Sequence, residues 1–286
     1  MTDSERRVAL VTGASRGIGK AIAVHLARAG FDVAIGARTV HEGEAREHSS
    51  TVQRSDTTPL PGSLDSTAEL IEATGRRVLS VYLDVLDRVS LGSAVTTVLE
   101  RWGHIDVLVN NARYIGPGHM DQLLETPVEL LDRHLDANVM APVILTKLVL
   151  PQMVERGRGF IMNLTSSSGN GPPPAAAGSG GWGLGYGMSK SAVHRLAEIV
   201  AVELADRGIV AYNLHPGFVA TERIAIDMGK FGFDASTGAP PDVIGAVAAW
   251  LVTDPDATAL NGTWIEGQDV CRERNLLPGW PAAAAP

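Results

Sequence analysis

The chain has 286 residues, of which 45% are hydrophobic and 20% are charged. This composition is typical of a folded globular protein and excludes a disordered or fibrous chain, and the length allows one large α/β domain. The formal net charge of −8 argues against a nucleic-acid-binding protein, because binding to a phosphate backbone requires a basic surface.

Cysteine usage and apolar runs indicate the compartment. Cys271 is the only cysteine, so neither an intrachain disulfide nor a cysteine-based zinc site can form, which is typical of the cytoplasm. The start of the sequence has no signal-peptide pattern, and the apolar run Met140–Leu150 is interrupted by Lys147 and too short to span a bilayer. The histidines have no metal-ligand spacing. We therefore expect a cytoplasmic protein with no metal site and no membrane partner.

Short apolar runs alternate with segments of helical period along the chain. After the first run, Ile18, Ile22 and Leu26 recur at helix spacing, and Gly30 ends that helix. This alternation predicts βαβ units, and hence a doubly wound parallel sheet with helices on both faces. We expect a single domain over 1–286 with its core at about 6–267. The predicted strands are Val8–Val11, Val33–Gly36, Val78–Leu83, Ile105–Val109, Phe160–Leu164, Ile209–Leu214 and Thr263–Ile265.

Four segments interrupt this alternation. The polar stretch 38–63 is longer than most structureless loops, so we expect it to be functional, partly ordered or mobile. The stretch 170–185, rich in proline and glycine, is predicted to be an inserted loop. Residues 221–241 mix apolar side chains with glycines, which suits either a substrate lid or a surface segment packed on the core. The tail over 275–286 is expected to be poorly ordered.

A glycine-rich turn joins the first predicted strand to the first predicted helix. It runs from Thr12 to Gly19 and contains the pattern GxxxGxG, which differs from the commonest dinucleotide fingerprint. Glycines at these positions let a pyrophosphate approach the backbone, where a helix N-terminus supplies free N–H groups. The turn therefore predicts a nucleotide site that includes Gly13, Ser15, Arg16, Gly17, Ile18 and Gly19.

The same turn also fits a different chemistry. Gly13 to Gly17 matches GxSxG, the nucleophile elbow of serine hydrolases, with Ser15 as nucleophile and His215 as the one plausible base. An elbow after the first strand precedes the part of a sheet that carries an oxyanion loop. A serine hydrolase is therefore the less favoured alternative.

A second group of polar residues lies later in the chain. Tyr186 and Lys190 are four residues apart and so share one face of the helix that Gly185 precedes. A phenol with a pKa of about 10 is a poor acid–base catalyst at neutral pH, and a nearby ammonium lowers that pKa. Ser166 follows the fifth predicted strand, at the sheet edge where such folds bind ligands, and its hydroxyl can hold a carbonyl oxygen.

Together these motifs resemble the short-chain dehydrogenase/reductase family in its compact TGxxxGxG form. The resemblance covers about Val8 to Gly267, and it implies a Rossmann-type α/β fold with a sheet of about seven strands. The long 38–63 loop adds a weaker likeness to the hydroxysteroid-dehydrogenase-like subgroup. The motifs that complete the resemblance are Asp84-Val85, Asn110-Asn111-Ala112, Asn138, and Asn213-Leu214-His215-Pro216-Gly217 leading to Thr221.

The resemblance implies a catalytic set of four residues. Tyr186 is expected to protonate the carbonyl oxygen in reduction, or to accept the proton in alcohol oxidation. Lys190 is expected to lower the pKa of that phenol and to bond the nicotinamide ribose. Ser166 then polarises the carbonyl, and Asn138 holds a water of the proton relay.

The resemblance also implies the cofactor contacts. Asp84 is expected to face the adenine, Asn111 to lie on the adenosine side, and Thr221 to lie at the carboxamide. The further cofactor-binding positions are Val85, Ala112, Pro216, Gly217 and Val219.

The end of the second predicted strand indicates which cofactor is preferred. An acidic residue there would bond the ribose 2′-hydroxyl and select NAD, but Ala37 and Arg38 occupy this position. Arg38 and Arg16 therefore favour binding of a 2′-phosphate. We predict that NADP(H) is preferred and that NAD(H) is possible, with the alternative that either arginine lies over the adenine or in solvent.

Two departures from the family pattern affect the substrate pocket. Arg113 stands where the family usually has glycine, and a positive φ there would cost about 1 kcal/mol, unless the turn differs. The insert lengthens the interval from Ser166 to Tyr186 and makes Trp182 a candidate lining residue.

The predicted function is hydride transfer between NADP(H) and a carbonyl or secondary alcohol of a mostly apolar small molecule. A sensor or scaffold that binds NADP(H) with vestigial catalysis is the alternative, motivated by the lengthened interval. The family resemblance implies a homo-oligomer, a tetramer or a dimer, and the helices over 140–154 and 186–205 have apolar faces that can pair between subunits.

Overall fold

Seven parallel strands form one sheet in the order β3-β2-β1-β4-β5-β6-β7 in a computed structural model, which describes residues 6–281. All seven predicted strands are confirmed, each within two residues at either end. The strands are β1 (Arg7–Thr12), β2 (Phe31–Ala37), β3 (Val78–Tyr82), β4 (Val107–Asn110), β5 (Gly159–Leu164), β6 (Ile209–His215) and β7 (Trp264–Glu266).

Helices cover both faces of this sheet. The helices are α1 (Gly17–Arg28), α2 (Leu64–Glu72), α3 (Arg88–Trp102), α4 (Val128–Leu135), α5 (Ala141–Arg156), α6 (Leu184–Leu204), α7 (Pro241–Thr253) and α8 (Gly267–Glu273). Side chains of α1 and α7 fill the core on one face, and side chains of α3, α5 and α6 fill the core on the other. Every residue of β2 is buried, as expected for a parallel strand covered on both sides. The predicted doubly wound α/β fold is confirmed.

The sheet register places the functional residues at one edge. Asn110 of β4 pairs with Asn163 of β5, and Asn163 pairs with Asn213 of β6, so the carboxyl ends of these strands are level. The glycine turn after β1 and the serines after β5 therefore open into the same crevice, at the point where the strand order reverses.

The apolar helical stretch in the middle of the chain is longer than the sequence indicated. Helices α4 and α5 are joined by a π-helical turn (Asp136–Met140), so that Val128–Arg156 is one stretch of 29 residues, apolar enough by length and composition to cross a membrane. The short run Met140–Leu150 seen in the sequence is only part of this longer stretch. Leu145, Val149 and Met153 of this stretch are fully buried in the core, which accounts for its apolar composition.

Two further expectations are corrected by packing. Helix α6 begins at Leu184, so Gly185 lies inside its first turn rather than before it, and a Cβ at Gly185 would lie 2.6 Å from the His134 ring of α4. The tail is ordered as far as it is described, since Leu276, Leu277 and Trp280 pack against the core. Residues 282–286 lie outside the described residues.

Candidate active site

A cavity of about 630 Å³ opens at the carboxyl edge of the sheet. The glycine turn lies at one end, and Ser166 and Tyr186 lie at the other. The irregular segments 38–63, 170–185 and 221–241 each contribute lining residues, among them Met228 and Phe233 of the last segment, whose role as a lid stays a prediction. In the part of the chain that the structure describes, no three His, Cys, Asp or Glu side chains are grouped as metal ligands.

The glycine turn has the geometry that a phosphate site requires. Gly13 and Gly17 have positive φ angles of 68° and 55°, which side chains other than glycine rarely adopt. A Cβ at Gly19 would lie 2.3 Å from the carbonyl oxygen of Gly13, so only glycine fits there. The first turn of α1 thus presents its N–H groups to the cavity at the predicted position.

The segment after β4 holds this turn in place. The Oγ1 of Thr12 accepts hydrogen bonds of 3.0 Å from the backbone N–H groups of Asn111 and Ala112. The amide nitrogen of the Asn111 side chain donates to the carbonyl oxygens of Thr12 and Gly13 at 2.8 and 3.2 Å. Asn111 and Ala112 also line the cavity, so their cofactor role stays a prediction consistent with their position.

Most other predicted cofactor residues line the cavity, but Asp84 and Lys190 do not. The Oδ1 of Asp84 accepts a hydrogen bond of 2.9 Å from the N–H of Leu86, and Val85 lines the cavity beside it. The remaining predicted residues that line the cavity are Ser15, Ile18, Arg38, Pro216, Gly217, Val219 and Thr221.

Arg16 makes contacts that the sequence did not predict. Its Nε donates to the carbonyl oxygen of Pro61 at 2.8 Å, and its Nη2 donates to those of Leu60 and Gly62 at 3.1 and 2.7 Å. Arg16 therefore ties the 38–63 segment to the glycine turn. Arg38, which lines the same end of the cavity, is the better candidate for a 2′-phosphate ligand.

Tyr186, Lys190 and Ser166 come together at the other end. Lys190 is 6% exposed, its Nζ donates to the carbonyl oxygen of Leu164 at 2.6 Å, and it lies 5.8 Å from the centre of the Tyr186 ring. Burial alone would raise the pKa of Tyr186, but the charges of Lys190 and Arg113 and a hydrogen bond with Ser166 lower this pKa below its ordinary value.

The side chain of Asn138 connects three elements. It lies in the π-helical turn, where its Oδ1 accepts from the N–H of Tyr114 at 2.7 Å and its Nδ2 donates to the Oγ of Ser189 at 2.9 Å. Ser189 in turn donates to the carbonyl oxygen of Tyr186. The side chain of Asn138 thus positions the helix that carries Tyr186, and its part in a water relay stays a prediction.

Arg113 adopts an ordinary backbone conformation. Within residues 6–281, Asn275 is the one non-glycine residue with a positive φ, so the turn differs from the glycine pattern and the strain considered for Arg113 is absent. Its guanidinium carbon lies 5.4 Å from the centre of the Tyr186 ring. Sequence reasoning treated Arg113 as a departure and missed it as a site residue.

An aromatic wall surrounds the Tyr186 ring. His119 lies edge-on to Tyr186 with ring centres 4.6 Å apart, and Trp182 of the insert lies 5.5 Å from Tyr186 and stacks on Phe233 at 4.8 Å. Burial and neighbouring positive charges hold the pKa of His119 well below its ordinary value, so its ring is neutral. The candidate role of Trp182 is confirmed by its position, whereas His119 had no sequence signal.

The hydrolase alternative lacks its base. The Nδ1 of His215 lies 2.7 Å from a carboxylate oxygen of Glu266, and its ring stacks on Trp264. The ring of His215 therefore packs against β7 rather than bonding Ser15. Among the hydrogen bonds of residues 6–281, none joins Ser15 to a histidine. The arrangement does not support a nucleophilic serine at this turn.

Comparison with known proteins agrees with this geometry. The chain matches the family model for short chain dehydrogenases over residues 7–60 and 59–226. It is 32% identical to a 3-oxoacyl-[acyl-carrier-protein] reductase of Synechocystis over 266 residues, covering 92% of this chain and 95% of that protein. The chain therefore belongs to the short-chain dehydrogenase/reductase family of oxidoreductases, which bind nicotinamide cofactors and act on small molecules with alcohol or carbonyl groups.

Two further similarities concern the subgroup and the cofactor. A hydroxysteroid dehydrogenase-like protein 2 of Xenopus tropicalis is 31% identical, over 93% of this chain and 58% of that protein. The crystal structure of a metagenomic short-chain oxidoreductase in complex with NADP superposes with a TM-score of 0.67 at 28% identity, covering 91% of this chain and 95% of that one. The weaker subgroup likeness thus has a counterpart among known proteins.

Proposed function

We propose that this chain transfers a hydride between NADP(H) and a carbonyl or secondary alcohol of a mostly apolar small molecule. The observation that carries the proposal is the buried Tyr186, with Lys190 and Ser166 beside it, facing a cavity whose other end is the glycine turn. Apolar side chains such as Trp182 and Phe233 line the cavity and suit an apolar substrate.

The glycine turn supports binding of the cofactor. Its positive φ angles and the absence of side chains at Gly13 and Gly19 leave the backbone open to a pyrophosphate at the start of α1. Arg38 at the adenosine end supports preference for NADP(H) over NAD(H). When bound, the nicotinamide supplies or accepts the hydride.

The chain's own residues supply the proton and the alignment. The Oγ of Ser166 accepts hydrogen bonds from the N–H and the hydroxyl of Ser168, so its own proton points toward Tyr186, where it bonds the phenol oxygen or, with substrate bound, a substrate oxygen. In reduction the Tyr186 hydroxyl donates its proton to that oxygen, and in oxidation the phenolate removes it. Lys190 and Arg113 stabilise the phenolate.

Replacing Tyr186 by phenylalanine tests this proposal. We expect Y186F to bind NADPH as the parent does and to lose about 10²–10⁴-fold in kcat, measured by NADPH consumption on a carbonyl panel, because the proton donor is gone. The matched control is Y82F, at an exposed tyrosine of β3. Equal turnover by parent and Y186F would contradict the mechanism.

The same experiment separates the alternatives. A sensor or scaffold binds NADPH but reduces no compound of the panel, and the intact cluster of Tyr186, Lys190 and Ser166 counts against it. A serine hydrolase would cleave esters in a reaction abolished by Ser15→Ala.

We also propose a cytoplasmic location, in keeping with the single cysteine.

A further inference from the structure

The charges of two arginines from distant parts of the chain act on the Tyr186 phenol. Arg113 follows β4, and Arg223 lies at the start of the 221–241 segment. Both line the cavity, and the charges of both lower the pKa of Tyr186. The charge of Arg113 also contributes, after burial, to lowering the pKa of Arg223 to about 9. Two cations that line one cavity favour the binding of an anion there.

The guanidinium of Arg223 is built into the wall. Arg223 is 5% exposed, and its Nη2 donates to the Oγ of Ser50 at 2.9 Å. A carboxylate oxygen of Asp227 lies 3.9 Å away, but the other oxygen of Asp227 accepts a hydrogen bond of 2.5 Å from Lys230. The Nε of Arg223 is buried and has no hydrogen-bond partner. A buried donor without a partner is costly unless a ligand bonds it.

Arg113, unlike Arg223, has no carboxylate partner in the described part of the chain. Its Nη1 donates to the carbonyl oxygen of Tyr114 at 3.0 Å, and the phenolate of Tyr186 is the one negative charge that raises its pKa, against the larger effect of burial. The neutral His119 adds no negative charge. Counting Lys190, the charges of three cations act on the phenol.

We propose, on the basis of the oxidoreductase function above, that the substrate is an oxo acid or the corresponding hydroxy acid, whose carboxylate binds between Arg113 and Arg223. The aromatic wall of Trp182 and Phe233 then holds the apolar remainder of the molecule. In reduction, the carbonyl carbon gains a hydride from NADPH and its oxygen gains the proton of Tyr186, giving the hydroxy acid and NADP⁺. The carboxylate is unchanged and serves only for binding.

Matched acids and esters test the proposal. The probes are benzoylformate, benzoylacetate and 3-benzoylpropionate, each compared with its methyl ester by NADPH consumption. We expect the parent to prefer at least one acid over its ester by about 10-fold or more in kcat/KM, because a hydrogen bond between charged groups is stronger than one to a neutral ester.

Variants of both arginines test whether these residues cause the preference for the acid over its ester. R113Q and R223Q should each lower kcat/KM for the acid about 10–100-fold and bring the ratio of acid to ester near one, while R113K retains part of the ratio. The ratio cancels any effect of Arg113 on the Tyr186 pKa, because acid and ester meet the same phenol. The control is R88Q, at an exposed arginine paired with Asp136. Thermal unfolding and NADPH titration of each variant verify folding.

Three outcomes would overturn the proposal. In the first, the parent reduces the esters as fast as the acids. In the second, both variants lower kcat/KM equally for acids and for esters. In the third, the variants lose NADPH affinity but keep the ratio of acid to ester, which would make these arginines cofactor ligands. If the parent reduces none of the six compounds, the three acids are titrated calorimetrically into its NADP⁺ complex. Binding that R113Q and R223Q abolish supports the anion site, and no binding by the parent refutes it. Failure of the proposed function is distinct, since a neutral ketone such as acetophenone would then also remain unreduced.

Discussion

At the scale of single residues, the ionisation of Tyr186 depends on opposing influences. The ring is 8% exposed, and burial favours the neutral phenol, whereas Lys190, Arg113, Ser166 and Arg223 all favour the phenolate. The charges outweigh burial, so the pKa lies below that of a free tyrosine. Lys190 has the largest effect among these four groups, which makes it the most direct means of changing the pH dependence.

Removing the lysine charge should move the pH profile to higher pH. Alcohol oxidation needs the phenolate, so its rate rises with pH through the pKa of Tyr186, and reduction needs the phenol, so its rate falls there. In K190M the pKa rises, and both midpoints should shift upward by about 1 unit or more. Measuring kcat/KM against pH in each direction checks this, with K147M at an exposed lysine of α5 as control. An unchanged or lower midpoint would disprove the electrostatic role.

At the scale of elements, the 38–63 segment has no helix or strand, yet it is partly buried. Thr39, His48 and Leu60 are all buried, and the Arg16 contacts fix the end of the segment. Of the three expectations, this favours a partly ordered loop, whose residues line the end of the cavity at the glycine turn. The two arginines predicted to bind the 2′-phosphate thus have different structural positions.

Substituting these arginines separately should distinguish their roles. R38A should weaken NADPH binding about 10–100-fold and leave NADH binding unchanged, because a charged hydrogen bond to the 2′-phosphate is lost. R16A should weaken both cofactors to a similar extent, because it releases the loop from the glycine turn. Fluorescence titration with each cofactor measures this, and R28A, at an exposed residue of α1, is the control. Equal affinities of the parent for NADPH and NADH would refute the cofactor preference. If R16A loses affinity for NADPH alone, Arg16 rather than Arg38 binds the 2′-phosphate.

At the scale of the whole molecule, α6 carries Tyr186 and Lys190 on its buried side and apolar residues on its outer side. Val202 is 86% exposed and Ile199 is 48% exposed, and the neighbouring α5 exposes Leu148. An apolar surface of this kind suits association between subunits. It supports the proposal of a homo-oligomer, for which the family resemblance gave a tetramer or a dimer.

A charge at this surface should break the assembly. In V202E the carboxylate would be buried without a partner at a subunit contact, so we expect a smaller species in size-exclusion chromatography with light scattering. In a monomer the substitution would change the free energy of unfolding by no more than about 0.5 kcal/mol, because the site is exposed. V89E, at a 76% exposed valine of α3, is the matched control. A parent that elutes as a monomer would refute the assembly.

The sequence by itself determined the sheet, the glycine turn and the pairing of Tyr186 with Lys190. These features depend on short-range patterns: strand and helix periods, glycines that a tight turn requires, and a four-residue spacing on one helix face. The contacts that only the tertiary structure decided join distant parts of the chain. Arg16 donates a hydrogen bond to the carbonyl of Pro61 across 45 positions, and Arg113 and Arg223 line one cavity with Tyr186 although no local pattern relates them. The physical reason is that periodicity specifies which face of an element is buried, whereas the packing of loops around a cavity specifies which side chains share it.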